Sequence, residues 1–296
     1  MKTHWGIDLG GTKIEGVVLE EGNIQKPLFR SRIPTEADKG YEHIVGRIEA
    51  MVREMQKSTG LKIPESIGIG TPGTFDPFIN AMKNCNTTAL NGKNLPHDLG
   101  ARLSSKVIVA NDANCFALAE ALYGAGRGAE VVFGVIMGTG VGGGIVVNGK
   151  VLNGAQGIAG EWGHNVLDAN GEMCYSGIKG CVESFISGPA LEKYFFTQSG
   201  ERRSLKEIVD SRKHNPLAEE TLQRLHHYFG RALASIINLL DPNVIVLGGG
   251  VGNIDSLYIE GIEEVKKYVF NHRFDTVIKK PELGDSAGVF GAAFLS

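Results

Sequence analysis

Apolar residues along this chain fall into short runs broken by glycine, and these runs alternate with amphipathic stretches. Trp5–Asp8 predicts a short buried strand. After Gly10-Gly11-Thr12, the β-branched stretch Ile14–Leu19 predicts a second. Tyr41–Lys57 predicts a helix, because Ile44, Val45, Ile48, Met51, Val52 and Met55 recur on one face. Ser66–Gly70 and Val107–Ala110 read as strands, and Ala113–Tyr123 as a helix. The opening then repeats in outline, with a strand at Val131–Met137, a turn at Gly138-Thr139-Gly140 and a strand at Gly144–Val147. Two strand–Gly-Thr–strand units suggest two related halves. Leu217–Leu240 predicts a long helix, and Val244–Leu247 a buried strand running into Gly248-Gly249-Gly250. Asp255–Phe270 reads as helical, and Ala287–Leu295 as a closing apolar helix. Strands alternating with helices predict an α/β protein. No linker rich in Pro or Ser divides it, so the expected site is a cleft where the halves meet.

Composition narrows the classes. The 296 residues are enough for two modest domains, and 42% hydrophobic with 21% charged residues is ordinary globular usage. A formal net charge of −3 gives no reason to expect nucleic acid or an anionic membrane as partner. Glycine, at 41 residues, exceeds its usual share of about 7% and clusters in short loops, as where backbone approaches a ligand. The first strand follows Met1-Lys2-Thr3-His4 directly, without a charged-then-apolar leader, and no apolar run reaches the roughly 18 residues of a membrane span. The expectation is a soluble cytoplasmic chain. Its cysteines, Cys85, Cys115, Cys174 and Cys181, then read as reduced thiols or metal ligands.

Gly138-x-Gly140-x-x-Gly143 matches a dinucleotide fingerprint as a string, but Ile145, Val146 and Val147 follow as a strand where that motif needs a helix. Gly144 to Lys150 resembles a P-loop, yet Val151 stands where Ser or Thr should meet magnesium. Both readings fail. Tight glycine hairpins remain, whose backbone N–H groups can face phosphate oxygens. Thr12 and Thr139 add hydroxyl donors, Lys13 adds charge, and Asp8 is placed to hold Mg²⁺ through water. Singly, each loop is better explained as an ordinary hairpin turn. Together, and with Gly248–Gly250 ending a third strand, they favour phosphate binding.

Asn111-Asp112 lies between a strand and a helix, where ligand sites of α/β proteins form. Asp112 suits the proton acceptor that phosphoryl transfer to an alcohol requires, but on spacing alone the helix N-cap reading is slightly favoured. Glu161, His164 and Glu183 supply acceptors and donors fit for crowded sugar hydroxyls. Each alone is better explained as a surface charge or, for His164, a packed imidazole.

In order and spacing these motifs resemble the ROK family of sugar kinases and repressors, within the actin–hexokinase-like superfamily. The resemblance runs from Gly6-Ile7-Asp8-Leu9-Gly10-Gly11-Thr12-Lys13 through Asn111-Asp112-Ala113-Asn114-Cys115 and Met137–Gly144. It continues through Gly160-Glu161-Trp162-Gly163-His164, Asp241-Pro242, Val246–Gly250 and Gly284–Gly288. It implies an α/β fold of two actin-like (ribonuclease H-like) lobes with an ATP and sugar cleft between them. Residues 1–117 with 285–296 would form the sugar and phosphate side, and 118–284 the nucleotide and oligomerisation side. It implies an ATP-dependent hexose kinase with Asp112 as general base, and Asn86, Asn111, Glu161, His164 and Glu183 on the sugar. Asp8, Gly10, Gly11, Thr12, Lys13, Gly138, Thr139, Gly140, Gly248 and Gly249 would serve Mg·ATP. A homodimer is the expected assembly.

One departure bears on a metal. The family often carries C-x-C-G-x-x-G-C-x-E, its cysteines binding zinc with the Gly-His histidine. Here the middle cysteine is Ser176, leaving His164, Cys174 and Cys181, one short of a structural set. The stretch Asn84–Gly92, Gly252-Asn253-Ile254-Asp255 and Asp285-Ser286-Ala287-Gly288 resemble the bacterial fructokinase/mannokinase branch, which often has Trp where this chain has Ala89. Fructose is therefore the first expected substrate, followed by glucose, mannose and N-acetylglucosamine. The repressors of the same family carry a DNA-binding segment before the kinase-like body, for which a strand beginning at Trp5 leaves no room. An actin-like filament protein would have no use for the sugar-facing residues, and a sensor without catalysis none for Asp112.

Overall fold

The structure is a computed structural model and describes residues 2–174 and 176–296. Its strands are β1 (Thr3–Leu9), β2 (Lys13–Glu20), β3 (Phe29–Pro34), β4 (Ser66–Thr71), β5 (Thr74–Asp76), β6 (Ala81–Lys83), β7 (Lys106–Asn111), β8 (Val131–Met137), β9 (Val141–Val147), β10 (Lys150–Val151), β11 (Val244–Gly248) and β12 (Val277–Lys279). Its helices are α1 (Tyr41–Thr59), α2 (Leu95–Leu103), α3 (Asp112–Tyr123), α4 (Glu183–Ile186), α5 (Gly188–Ser199), α6 (Leu205–Ser211), α7 (Pro216–Leu240), α8 (Gly249–Gly252), α9 (Glu260–Lys266) and α10 (Ala287–Ala293). Two sheets of five strands have the orders β3-β2-β1-β4-β7 and β10-β9-β8-β11-β12, and β5 pairs with β6 alone.

The expected strands and helices form within a few residues of their predicted ends, with one correction. Asp255–Phe270 is not a single helix. A 3-10 turn covers Asp255–Tyr258, Ile259 leaves helical geometry at φ −119 and ψ −80, and only Glu260–Lys266 is α-helical. Elements absent from the pattern reading have physical reasons. Strand β3 alternates half-buried and exposed positions and is rich in arginine, so it lacks an apolar run. Helix α2 is short, has Pro96 at its second position and is started by the Asn94 side chain accepting from His97 N–H.

The chain divides into two compact units. One comprises 1–127, 144–159 and 283–296, and the other 128–143 and 160–282. In the first, β1 pairs antiparallel with β2 and parallel with β4, which pairs parallel with β7. Alternation along β1 and β4 sends side chains to opposite faces. Trp5, Ile7, Leu9, Ile67 and Ile69 join a core with Ile44, Ile48 and Met51 of α1 and Leu95 and Leu99 of α2. The intervening positions, Gly6, Gly68 and Gly70, face the other way. A Cβ on Gly6 or Gly68 would run into the backbone of α10, and a Cβ on Gly291 would strike the Cys115 carbonyl of α3. Glycine spacing thus lets α10 lie against the sheet and α3. Gly68→Ala is expected to cost about 3 kcal/mol or more, since backbone must move to admit a methyl group; the midpoint of thermal unfolding reads it.

In the second unit β8, β11 and β12 run parallel. Helix α7 buries Leu222, Leu225, Phe229, Leu233 and Ile237, and its Gly230 admits the backbone of α9 at Glu264. Among the described residues no helix is long and apolar enough to cross a membrane.

Candidate active site

In the first unit the turn after β1 is held from outside the hairpin. Gly10 N–H donates to Lys13 O (2.9 Å), Thr35 N–H donates to Thr12 O (3.0 Å), and the Thr35 hydroxyl donates to Gly10 O (2.7 Å). Thr35 is fully buried, whereas Gly11, Thr12 and Lys13 are exposed. The turn therefore keeps its shape while its middle residues face solvent. The sequence gives no signal for Thr35, because a lone Thr after an edge strand carries no pattern.

Asp8 points to the α10 side of β1. Burial raises its carboxyl to about 6, with the charges of Asp112 and Glu15 adding to the effect and Lys13 and Arg32 opposing it. Glu15, its ladder partner on β2, is buried and accepts from Arg30 Nε (2.6 Å) and Arg32 Nε (2.7 Å).

The head of α3 corrects the N-cap reading of Asp112. The N-cap is Asn111, whose Oδ1 accepts from Ala113 N–H (2.8 Å) and Asn114 N–H (3.4 Å). Asp112 is the first helical residue, and one carboxyl oxygen accepts from Ala113 N–H (2.8 Å). Capping occupies the Asn111 oxygen and leaves its amide NH₂ as the group it can offer a ligand. Asp112 is exposed as a residue, yet the protein around its carboxyl raises the pKa by desolvation, opposed by the Ala113 N–H. Asn86 is also exposed, in a loop closed where Cys85 N–H donates to Asn91 Oδ1 (2.9 Å) and Asn91 Nδ2 donates to Cys85 O (3.2 Å). The neighbouring Thr87 hydroxyl lies 3.6 Å from where a Cβ on Gly11 would stand, so this loop adjoins the first glycine turn.

In the second unit, Gly138 N–H donates to Gly140 O (2.9 Å), closing the turn between β8 and β9. Thr139 at its tip is exposed. Gly249, at φ +80, brings the triple-glycine segment so close that a Cβ would overlap the Met137 backbone at the end of β8. The end of β8, which runs into Gly138, thus lies against Gly249, and β11 ends in the buried Gly248 beside β8.

Trp162-Gly163-His164 forms a 3-10 turn seated on the start of β9. The Trp162 indole donates to Gly142 O (3.1 Å), and a Cβ on Gly163 would overlap Val141 O. Glu161 and His164 flank this anchor and are partly exposed. Glu183 opens α4 and accepts from Val141 N–H (2.8 Å).

Metal-ligating atoms of His164, Cys174 and Cys181 lie within 4.8 Å of one another. Ser176 Oγ is 2.9 Å from Cys174 Sγ, where the fourth donor of a closed set would have to come from. Hydrogen bonds from Cys181, Ser176 and His164 outweigh the burial that pushes the Cys174 thiol upward, so it ionises before Cys181, whose thiol burial raises. Three N/S donors and a hydroxyl do not make a structural zinc set. Ser176→Cys is therefore expected to raise zinc retained after dialysis from well below one equivalent per chain to near one, measured by elemental analysis.

A family model described as "ROK family" matches residues 4–296. An N-acetyl-D-glucosamine kinase of Vibrio cholerae serotype O1 is 36% identical over 99% of this chain and 99% of that protein. Among solved structures, a ROK hexokinase from Thermus thermophilus has a TM-score of 0.89 at 31% identity, covering 100% of this chain and 98% of the other. A ROK family glucokinase from Streptomyces griseus, in complex with glucose and AMPPNP, has a TM-score of 0.80 at 28% identity, covering 100% and 99%.

Proposed function

The chain belongs to the ROK family and is a sugar kinase, and on that premise we propose that it moves the terminal phosphoryl group of ATP to a hydroxyl of N-acetylglucosamine. The whole-length similarity to the Vibrio cholerae kinase carries this reading. It spans nearly all of both chains at a higher identity than the two solved kinases. Fructose, the first expectation from the sequence, has no support among these relatives and falls behind the acetamido sugar.

The residues fit the chemistry in this way. The attacking sugar oxygen forms a bond to the γ-phosphorus, ADP leaves, and the hydroxyl proton passes to Asp112. Asn111 takes the capping task, so the Asp112 carboxylate keeps an oxygen for the substrate. Backbone N–H groups and hydroxyls of Gly11, Thr12, Gly138 and Thr139 hold phosphate oxygens, with Gly248 and Gly249 beneath the nucleotide. Asn86, the Asn111 amide, Glu161, His164 and Glu183 hold the sugar. Bound Mg²⁺ neutralises charge on the phosphates. Asp8 would hold its water shell, because a cation there would favour the ionised carboxylate that burial, helped by the charges of Asp112 and Glu15, disfavours.

Steady-state kcat/KM for N-acetylglucosamine, N-acetylmannosamine, glucose, mannose and fructose, each with Mg·ATP, tests the substrate. N-acetylglucosamine is expected to lead by about tenfold or more. A lead by fructose or glucose would overturn the choice of sugar and leave the kinase reading standing.

A further inference from the structure

Two hydrogen bonds tie the Gly138–Gly140 turn to one short segment of the second unit. Val141 N–H donates to Glu183 Oε2 (2.8 Å), and Gly188 N–H donates to Gly138 O (2.9 Å). These bonds flank Thr139 on either side. The segment is itself anchored, since the Ser184 hydroxyl donates to Cys181 O (2.6 Å) and Val182 N–H donates to Asn165 O (3.0 Å), next to His164. A Cβ on Gly140 would stand 2.7 Å from Glu183 Oε2, closer than contact distance, so glycine at 140 is what lets the carboxylate reach the turn. Gly140 does not have positive φ, so its requirement is one of space.

We infer that Glu183 is a positioning residue for the nucleotide as well as a sugar ligand, its carboxylate bridging a sugar hydroxyl to the backbone that presents Thr139. One oxygen, Oε2, fixes Val141 N–H, and Oε1 remains for the sugar. The bond shapes the phosphate turn before any sugar arrives, so its loss weakens nucleotide binding in the absence of sugar. A carboxylate that served the sugar alone would leave that affinity untouched. This inference rests on the reading of Gly138–Gly140 as a phosphate loop.

Calorimetric titration of the full chain with Mg·AMPPNP, without sugar, tests it. Glu183→Ala is expected to raise the nucleotide Kd by about tenfold, as for loss of a hydrogen bond to a charged group. Glu183→Gln keeps an oxygen for Val141 N–H and is expected to restore the nucleotide Kd to within about threefold of the parent chain while sugar KM stays raised. Gly140→Ala, with Glu183 intact, should weaken the nucleotide in the same direction as Glu183→Ala, and it carries the test if Glu183→Ala melts early. An unchanged nucleotide Kd in folded Glu183→Ala and Gly140→Ala would overturn the inference. Failure of the parent chain to bind Mg·AMPPNP would instead count against the phosphate-loop reading itself.

Discussion

Asp112→Asn is expected to lower kcat by roughly 10²–10⁴-fold while leaving sugar affinity within about tenfold. The substitution keeps the shape of the side chain and can still accept from Ala113 N–H. It removes the basic oxygen proposed to take the hydroxyl proton. Helix stability should barely change, because the cap of α3 is Asn111 and its two accepted N–H bonds are untouched. Single-turnover phosphoryl transfer separates this loss from slower product release, and a thermal melt confirms that the fold is intact. An equal loss of stability and rate would mean that Asp112 serves the helix rather than the proton.

Asp8→Asn is expected to move activity and stability in opposite directions. Its folded-state pKa lies at about 6 against an ordinary 3.8, so the folded protein holds this proton more tightly than the unfolded chain. For an acid shifted upward, the stability linked to the bound proton is present below about pH 4 and is lost as pH rises through about 6. Near neutral pH the ionised carboxylate is therefore a liability, at most about 3 kcal/mol and less where solvent reaches it. Removing the charge should raise the melting temperature above pH 6 and leave it unchanged near pH 4. The same change would remove the carboxylate proposed to hold the water shell of Mg²⁺, and activity is expected to fall by about 10²-fold or more. In the parent chain, kcat/KM for Mg·ATP should decline as pH drops through about 6, where Asp8 of the free enzyme takes up its proton. A variant that melts no higher near neutral pH would place the raised pKa in doubt.

Much of the fold was legible because burial and period coincide. Helix α1 buries the six residues its spacing predicted, and β1, β4, β8 and β11 are apolar runs ended by glycine or by a polar residue. Strand β9 answers the choice between hairpin and dinucleotide motif, since Val141–Val147 is extended where the latter needs a helix. What stayed hidden was set by tertiary partners. Thr35 reaches back to Gly10, Gly188 reaches Gly138, and Glu183 reaches Val141, each across more than a local window. The division of labour between Asn111 and Asp112 was hidden too, since both residue types cap helices well and only the accepted N–H bonds tell them apart. Glycines at 6, 68 and 291 gave no motif, yet they decide how closely α10 packs.

Phosphoryl transfer from ATP to a sugar, with Asp112 as proton acceptor, is the reaction we propose for this chain. The most direct measurement supplies γ-labelled ATP with Mg²⁺ and N-acetylglucosamine and follows the label in the parent chain and in Asp112→Asn. Label is expected in a sugar phosphate, formed together with ADP and reduced by at least about 100-fold in the variant. Label that stays in ATP with every hexose offered, or that reaches the sugar equally fast in Asp112→Asn, would contradict it.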